Sequence, residues 1–370
     1  MRILGFGTYD VSTHPRVGVL LAGLAEHGHQ VVELNRPLGI GTAGRVQALK
    51  SPAAALRFAL RLLSCWASLI WGARRFRGRN APGAILVGYL GHFDVILARL
   101  LFPRRTIMLD HLIFAADTAA DRRLDGGIKT RLLRALDRLA LRSADVIILD
   151  TPEHETLVPE ELRDRVVVVP VGAPGSWFAA RRERSLTATA PHPPSVVFFG
   201  LFTPLQGTPT IARALRILDD EGVACEVTLI GSGQDEAECR EILASLSGIV
   251  RVTWRDWVPG SELPSVVASH DICLGIFGVS PKAQRVVPNK AYQGMAAGCA
   301  LITSDTPSQR AMLPGAHLVP AGDERALAAE LRLLLTDGRA LDRARRAAAT
   351  RADEAFGPDA VTAALEGVLA

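Results

Sequence analysis

The chain has no cysteine pair with metal-ligand spacing. Its five cysteines, Cys65, Cys225, Cys239, Cys273 and Cys299, are odd in number and far apart. This excludes a zinc ribbon or finger and argues against a disulfide framework. Cys273 and Cys299 lie in apolar, strand-like runs, as buried thiols in a reducing cytoplasm do. A secretory leader is also missing from the expected features, because Met1-Arg2-Ile3-Leu4 runs straight into a strand and a glycine turn. No stretch reads as a membrane span. The most apolar one, Leu56 to Ala73, contains Arg57 and Arg61 and reads as an amphipathic or core helix. The charge has no strong sign either: 42 basic residues stand against 38 acidic ones, a formal net charge of +4. Nucleic acid is not an expected partner, since the arginines are spread through amphipathic helices rather than interleaved with aromatics. A mildly basic chain still suits an anionic ligand or an anionic membrane surface.

What is present fills two α/β domains. The first strand, Arg2 to Phe6, is followed by a loop, Gly7 to Pro15, a helix from about Arg16 to His27 and a strand at Val31 to Leu34. Residues 37–52 read as a loop. A helix over Leu56 to Phe76 carries Trp66 and Trp71 and ends in the basic cluster Arg74, Arg75, Arg77, Arg79, which suits docking on an anionic membrane. Strands at Ala84 to Val87 and Thr106 to Leu109 end at Gly88–Asp94 and Asp110-His111. His92 and His111 thus fall just past strand ends, where open α/β sheets bind ligands. A helix over Thr130 to Arg142 and strands at Val146 to Leu149 and Val166 to Val169 complete the half. Pro170 to Gly175 breaks the pattern and Arg181 to Pro194 is polar and proline-rich, so the linker is expected across 171–194. It separates residues 1–170 from a second domain, 195–350, with a C-terminal helix over 351–370.

The richest stretch is Ile272 to Pro307. Strand, polar loop, helix and strand follow one another, a βαβ unit with its loop at the helix entrance. Asn289 is expected to cap that helix, with Pro288 fixing its start. Lys290 adds a cation beside unpaired N–H groups and, as a first-turn residue, is expected to face solvent. Gln293 lies one turn below Asn289 on the same face. Amides, a cation and a side-chain amide at one helix end suit the diphosphate and ribose of a nucleotide.

These pieces resemble GT-B glycosyltransferases, family 4. The matching segments are Val168-Val169-Pro170-Val171-Gly172, Phe199-Gly200 to Gly207, Leu229-Ile230-Gly231-Ser232-Gly233 and the whole of 272–307. Gly7-Thr8-Tyr9-Asp10 with His14-Pro15-Arg16 is similar to the family's phosphate-side loop. Val87-Gly88-Tyr89 with Gly91-His92-Phe93-Asp94 resembles a subgroup acting on saccharide or lipid-linked acceptors. The resemblance implies two Rossmann-like domains facing a cleft, with C-terminal helices crossing back to the N-terminal domain. It implies retaining, metal-independent transfer of a hexosyl-type sugar from a nucleoside diphosphate sugar, with no further cofactor. The acceptor would be a saccharide, a lipid-linked molecule or a natural product. His92, His111 and Asp110 become the candidate catalytic residues. The candidate donor contacts are Gly7, Arg16, Gly200, Gln206, Gly207, Gly231, Trp257, Val258, Lys282, Arg285, Asn289, Lys290 and Gln293.

The chain also departs from the family. The usual Lys-Gly step of the first loop is Gln206-Gly207, and the Glu-x7-Glu motif aligns on Arg285 and Gln293. Lys290, Arg285 and Lys282 are the cations available to replace the missing lysine. A non-catalytic sugar-nucleotide-binding protein is the alternative these departures raise. An NAD-dependent oxidoreductase has a base-edge acid in Glu33, but the glycine fingerprint after Gly5-Phe6-Gly7 lacks its third glycine.

Overall fold

A computed structural model describes residues 1–11, 14–40, 51–117, 127–187 and 193–369. Most of the loop expected at 37–52, and part of the loop at 7–15 and of the linker at 171–194, lie outside the described residues. The chain forms two compact units, Met1–Val169 with Val361–Ala370, and Pro170–Ala360.

The first unit is built on a six-stranded parallel sheet in the order β2-β1-β3-β4-β5-β6. Its strands are β1 (Arg2–Gly7), β2 (Gln30–Asn35), β3 (Ala84–Val87), β4 (Thr106–Asp110), β5 (Val146–Leu149) and β6 (Val166–Val168). The runs Ala84–Val87 and Val146–Leu149 are buried throughout. They lack polar alternation because a parallel sheet is covered on both faces. One face carries α1 (Arg16–Glu26), the other α2 (Pro52–Ala73), α3 (Asp94–Leu101) and α4 (Gly127–Arg142). Leu69 and Ala73 of α2, Val95, Leu97 and Ala98 of α3, and Ala140 and Leu141 of α4 share one core with Leu4, Phe6, Ile85, Val87, Ile107 and Leu109.

The second unit repeats the plan, in the order β12-β11-β10-β7-β8-β9. Its strands are β7 (Ser195–Phe199), β8 (Cys225–Ile230), β9 (Val250–Arg255), β10 (Ile272–Leu274), β11 (Ala300–Ser304) and β12 (His317–Val319). Its helices include α5 (Gly175–Thr187), α6 (Thr208–Asp220), α7 (Asn289–Ala296) and α8 (Gly338–Ala355). The last helix, α9 (Pro358–Leu369), belongs almost wholly to the first unit: Val361, Leu365 and Leu369 pack with Leu20, Leu24 and Ile148.

Two expectations are corrected. The stretch 171–194 is not a plain linker, because α5 occupies much of it. Arg184 of α5 binds the Asp271 carboxylate at 2.7 Å, and Trp177 stacks on Phe199 with ring centroids 5.6 Å apart. Polar and proline-rich composition suggested a solvated connector, yet Arg181 is held by Asp353 and Arg184 by Asp271. The boundary at 350 also falls inside a helix, since α8 runs unbroken to Ala355.

In each sheet the strand order reverses once, between β1 and β3 and between β7 and β10. Open α/β sheets bind ligands at the carboxyl ends of the strands at such a reversal. Gly7 and Gly88–His92 stand at the first reversal, Gly200 and the segment leading to α7 at the second.

Candidate functional site

In the second unit, three glycine-bearing loops meet at the carboxyl edge. Gly231 has φ +122°, and a Cβ there would fall on the carbonyl oxygen of Gly200. Gly207, at φ +65°, lies against the Phe277-Gly278 peptide and precedes α6. The loops after β7, β8 and β10 thus touch backbone to backbone, which glycine permits and any side chain would forbid. The Gly200 N–H donates to Ile230 O at 2.9 Å and the Gly231 N–H to Arg255 O at 2.8 Å. These two glycines therefore contribute room rather than donors to the site.

Lys290 reaches into this meeting point. Its Nζ donates to Gln206 Oε1 at 2.6 Å and lies 3.6 Å from the centre of the Phe198 ring. A Cβ on Gly200 would come within 2.9 Å of the ammonium. The side chain is 5 % exposed, so the expectation that it faces solvent is corrected. Burial pulls its pKa from the usual lysine value down to about 7. The chain has four lysines, Lys50, Lys129, Lys282 and Lys290, among 42 cations. A lysine can survive here because it can shed its proton, which a guanidinium cannot.

The helix start also differs from expectation. Pro288, not Asn289, holds the N-cap position, and no side chain caps the helix. Asn289 is the first helical residue and is half-buried, while Gln293 is buried one turn on. Lys282 and Arg285 sit in a turn closed by the Arg285 N–H donating to Lys282 O at 3.0 Å, and both are half-buried. Val258 is buried, whereas Trp257 beside it is 75 % exposed. A groove lined by Ser195, Thr228, Thr253, Ser269 and His270 runs over β8 and β9, and neither Gly200 nor Lys290 lines it.

The first unit brings a separate set to its own reversal point. Gly7, at φ +146°, abuts Asp94, whose Oδ2 accepts from the Thr8 N–H at 2.8 Å and the Thr8 hydroxyl at 2.7 Å. Trp66 Nε1 donates to the other carboxylate oxygen of Asp94 at 3.1 Å. Tyr9 lies over Gly5 and Gly88 and donates its hydroxyl to Glu33 at 2.7 Å. The base-edge acid of the oxidoreductase reading is therefore engaged by Tyr9. Arg16 is buried and donates from Nε to Asp110 Oδ1 at 2.7 Å and from a terminal nitrogen to Val169 O at 3.0 Å. It ties α1 to the ends of β4 and β6. Burial raises the Asp110 pKa, and the Arg16 charge opposes that shift.

His92 and His111 do come together, with ring centroids 4.8 Å apart. His111 Nε2 is buried and has no hydrogen-bond partner among the described residues. Burial and then the charge of His92 lower the His111 pKa to about 3, so the ring is neutral near pH 7. The arrangement depends on Asp137, which the sequence reading passed over. Its Oδ1 lies 3.0 Å from His92 Nε2 and accepts from the Ala115 N–H at 2.9 Å, while Oδ2 accepts from the Ala116 N–H at 3.1 Å. A signal existed: Asp137 falls on the stripe of α4 shared with Leu133, Ala140 and Leu141, where an acid must have a buried partner. The donor atoms of His92, His111 and Asp137 lie within 4.8 Å of one another, a set able to hold a metal ion. The Asp137 oxygens already bind two amides and His92, so the chemistry of the set fits an acid that positions a histidine pair.

Residues 193–337 match the family model described as glycosyl transferases group 1. Among solved structures, sucrose-phosphate synthase of Thermosynechococcus elongatus is similar, at 15% identity over 99% of this chain and 97% of that one, with a TM-score of 0.68. HepE of Anabaena, in complex with UDP-glucose, is similar at 13% identity over 99% and 98%, with a TM-score of 0.64. The N-terminal domain of Candida albicans trehalose-6-phosphate phosphatase is similar at 11% identity over 100% and 96%, with a TM-score of 0.67. At these identities the likeness is one of fold. No curated protein matches the chain by sequence.

Proposed function

We propose that the protein transfers a sugar from a nucleoside diphosphate sugar to a hydroxyl of an acceptor, with retention of anomeric configuration. The observation that carries this reading is the Lys290 ammonium, held beside Gln206 under the glycine loops at the strand reversal of the matched segment. There it would meet the diphosphate, whose negative charge grows as the bond from the anomeric carbon to phosphate oxygen breaks. A cation and helix-end amides stabilise that charge. The new bond forms between the acceptor oxygen and the anomeric carbon on the face the diphosphate leaves, and the acceptor proton passes to a phosphate oxygen. His111 Nε2, neutral and without a protein partner among the described residues, would offer a hydrogen bond to a substrate hydroxyl at the strand ends of the first unit. His92, held by Asp137, would position it by ring contact. Arg285, Lys282 and Gln293 would complete the diphosphate and ribose contacts, and Trp257 with Val258 would border the base. No metal or cofactor is assigned. The solved HepE complex with UDP-glucose supports a nucleotide-sugar donor by likeness of fold. The acceptor is a saccharide, a lipid-linked molecule or a natural product in the cytoplasm.

The test is a melting panel of UDP-, GDP-, ADP- and TDP-sugars, because a ligand bound by the native state raises the melting temperature. The stabilising donor is then incubated with acceptors, and the anomer of the product is read by NMR. A shift with NAD(H) and with none of the sugar nucleotides would remove the proposal. One observation favours a second reading, a non-catalytic sugar-nucleotide binder: Gln206 is neutral where relatives are expected to carry a lysine. That reading predicts a melting shift with neither transfer nor hydrolysis.

A further inference from the structure

The outer surface of α2 is as apolar as its inner one. Leu62, Cys65, Leu69, Gly72 and Ala73 face the core. Leu56, Leu60, Leu63, Ala67, Ile70 and Trp71 recur on the opposite side at steps of three and four, and all are exposed. Leu56 is 61 % exposed, Leu60 59 % and Trp71 62 %. Neighbouring α4, on the same face of the sheet, repeats the pattern with exposed Ile128, Leu132, Ala135 and Leu139. Between them α3 exposes Leu100. An apolar surface of this extent, left exposed among the described residues, marks an interaction site.

Charge identifies its occupant. Arg131, Arg134 and Arg138 border the α4 stripe and are exposed, while Arg142 at its end pairs with Glu161 at 3.3 Å. Arg74, Arg75, Arg77 and Arg79 follow α2, with the Arg75 guanidinium 5.3 Å from the Trp71 ring centre. From Leu34 to Phe93 the sequence has no Asp or Glu. A second copy docked by symmetry would set these cations against each other, whereas an anionic bilayer neutralises them. We propose that the α2–α3–α4 face docks on an anionic lipid surface, apolar stripes in the headgroup boundary and arginines at the phosphates. α2 is 22 residues long with a mean hydropathy of 1.5, enough by length and composition to cross a membrane. It lies along the surface instead, because Leu69 and Ala73 of its inner stripe join the core of the first unit and Leu62 and Cys65 pack with Leu38. The inference stands apart from the sugar-transfer reading, since docking needs no nucleotide.

The test is sedimentation of the full chain with vesicles of phosphatidylcholine alone or mixed with phosphatidylglycerol, without nucleotide. The expected result is binding to the anionic vesicles, weakened by salt and absent from the neutral ones. Replacing Arg74, Arg75, Arg77 and Arg79 together by Gln should lower the partition constant by roughly several hundredfold, at about fivefold per cation lost from the surface. Leu60→Gln with Leu63→Gln should lower it as strongly. Both variants change exposed side chains, so an unaltered melting temperature serves as the folding control. Equal binding to neutral and anionic vesicles, or no vesicle binding, would overturn the proposal. So would a concentration-dependent dimer that Leu60→Gln with Leu63→Gln dissolves.

Discussion

Lys290 Nζ and Gln206 Oε1 are 2.6 Å apart, with the aromatic face of Phe198 on the other side of the ammonium. Residues 84 positions apart in sequence therefore form one polar contact at the strand reversal. Gln206 stands where relatives are expected to place a lysine, and the cation is delivered from α7 instead. A second lysine at 206 would place two ammoniums in one buried site.

From this follows a sign reversal between two substitutions. Lys290→Ala removes a charge-assisted contact worth about 1.5–3 kcal/mol, so kcat/KM for transfer should fall roughly ten- to hundredfold. Gln206→Lys by itself should also impair activity, through repulsion. In the double variant the new lysine has the space to itself and should recover part of the loss. A double-mutant cycle on kcat/KM measures the coupling. Additive losses would show that residues 206 and 290 serve different groups.

Lys290 should also register nucleotide binding as proton uptake. Its pKa of about 7 without ligand rises when a diphosphate is beside it, since an opposite charge favours the charged form. At pH 8, calorimetric titrations in buffers of different ionisation enthalpy should show a proton taken up, and Lys290→Met should abolish it. The ligand-free protein should respond to pH in a definite direction. Between pH 7 and the ordinary lysine value, the unfolded chain holds this proton and the native chain does not, so unfolding free energy rises with pH. The cost of burying the charge is felt in full below pH 7. Urea melts of Lys290→Met should lack this slope.

The histidine pair predicts acid sensitivity. Burial holds the His111 pKa near 3, so the unfolded chain binds a proton that the native chain refuses as pH falls below the ordinary histidine value. Stability is lost from there down to about pH 3. For Asp137, burial would raise the pKa, but the His92 hydrogen bond and charge outweigh it and the net shift is downward. Its contribution is present above the ordinary carboxylate value and disappears as pH falls through the native one. Asp137→Ala leaves buried His92 and two half-buried amides without their acceptor, at about 1–3 kcal/mol for a fully buried group and less for each amide. A loss of about 3 kcal/mol is expected in urea at pH 7, with Asp137→Asn milder. A loss under about 1 kcal/mol would show that the carboxylate is not what holds the pair.

Gly231→Ala should damage the second unit's site more than its position in a loop suggests. Its φ of +122° disfavours any side chain, and the methyl would strike the Gly200 carbonyl. Separation of the two loops would draw Gly200 from Lys290. Nucleotide-induced stabilisation should disappear while the ligand-free protein still melts cooperatively. Alanine at Gly222, also at positive φ but in open space, is the control for backbone strain.

The sequence by itself determined the architecture. Uninterrupted apolar runs such as Ala84–Val87 and Val146–Leu149, alternating with helical periods, required parallel sheets covered on both faces. The positions of Gly7, Gly200, Gly207 and Gly231 after strands likewise marked the carboxyl edges, because local chemistry dictates a turn. What only the tertiary structure decided concerns residues whose state depends on distant neighbours. A first-turn lysine reads as solvent-facing until Phe198, Gly200 and Gln206 are brought over it. Asp137 reads as one more helix acid until the ends of β3 and β4 bring His92 and His111 to it. Residues 171–194 read as a connector until Asp271 and Phe199 supply partners for Arg184 and Trp177. Helical period showed that α2 is apolar, but not that half of its apolar surface would be left uncovered. Burial, ion pairing and pKa arise from groups far apart in the chain, so they follow from packing rather than from local pattern.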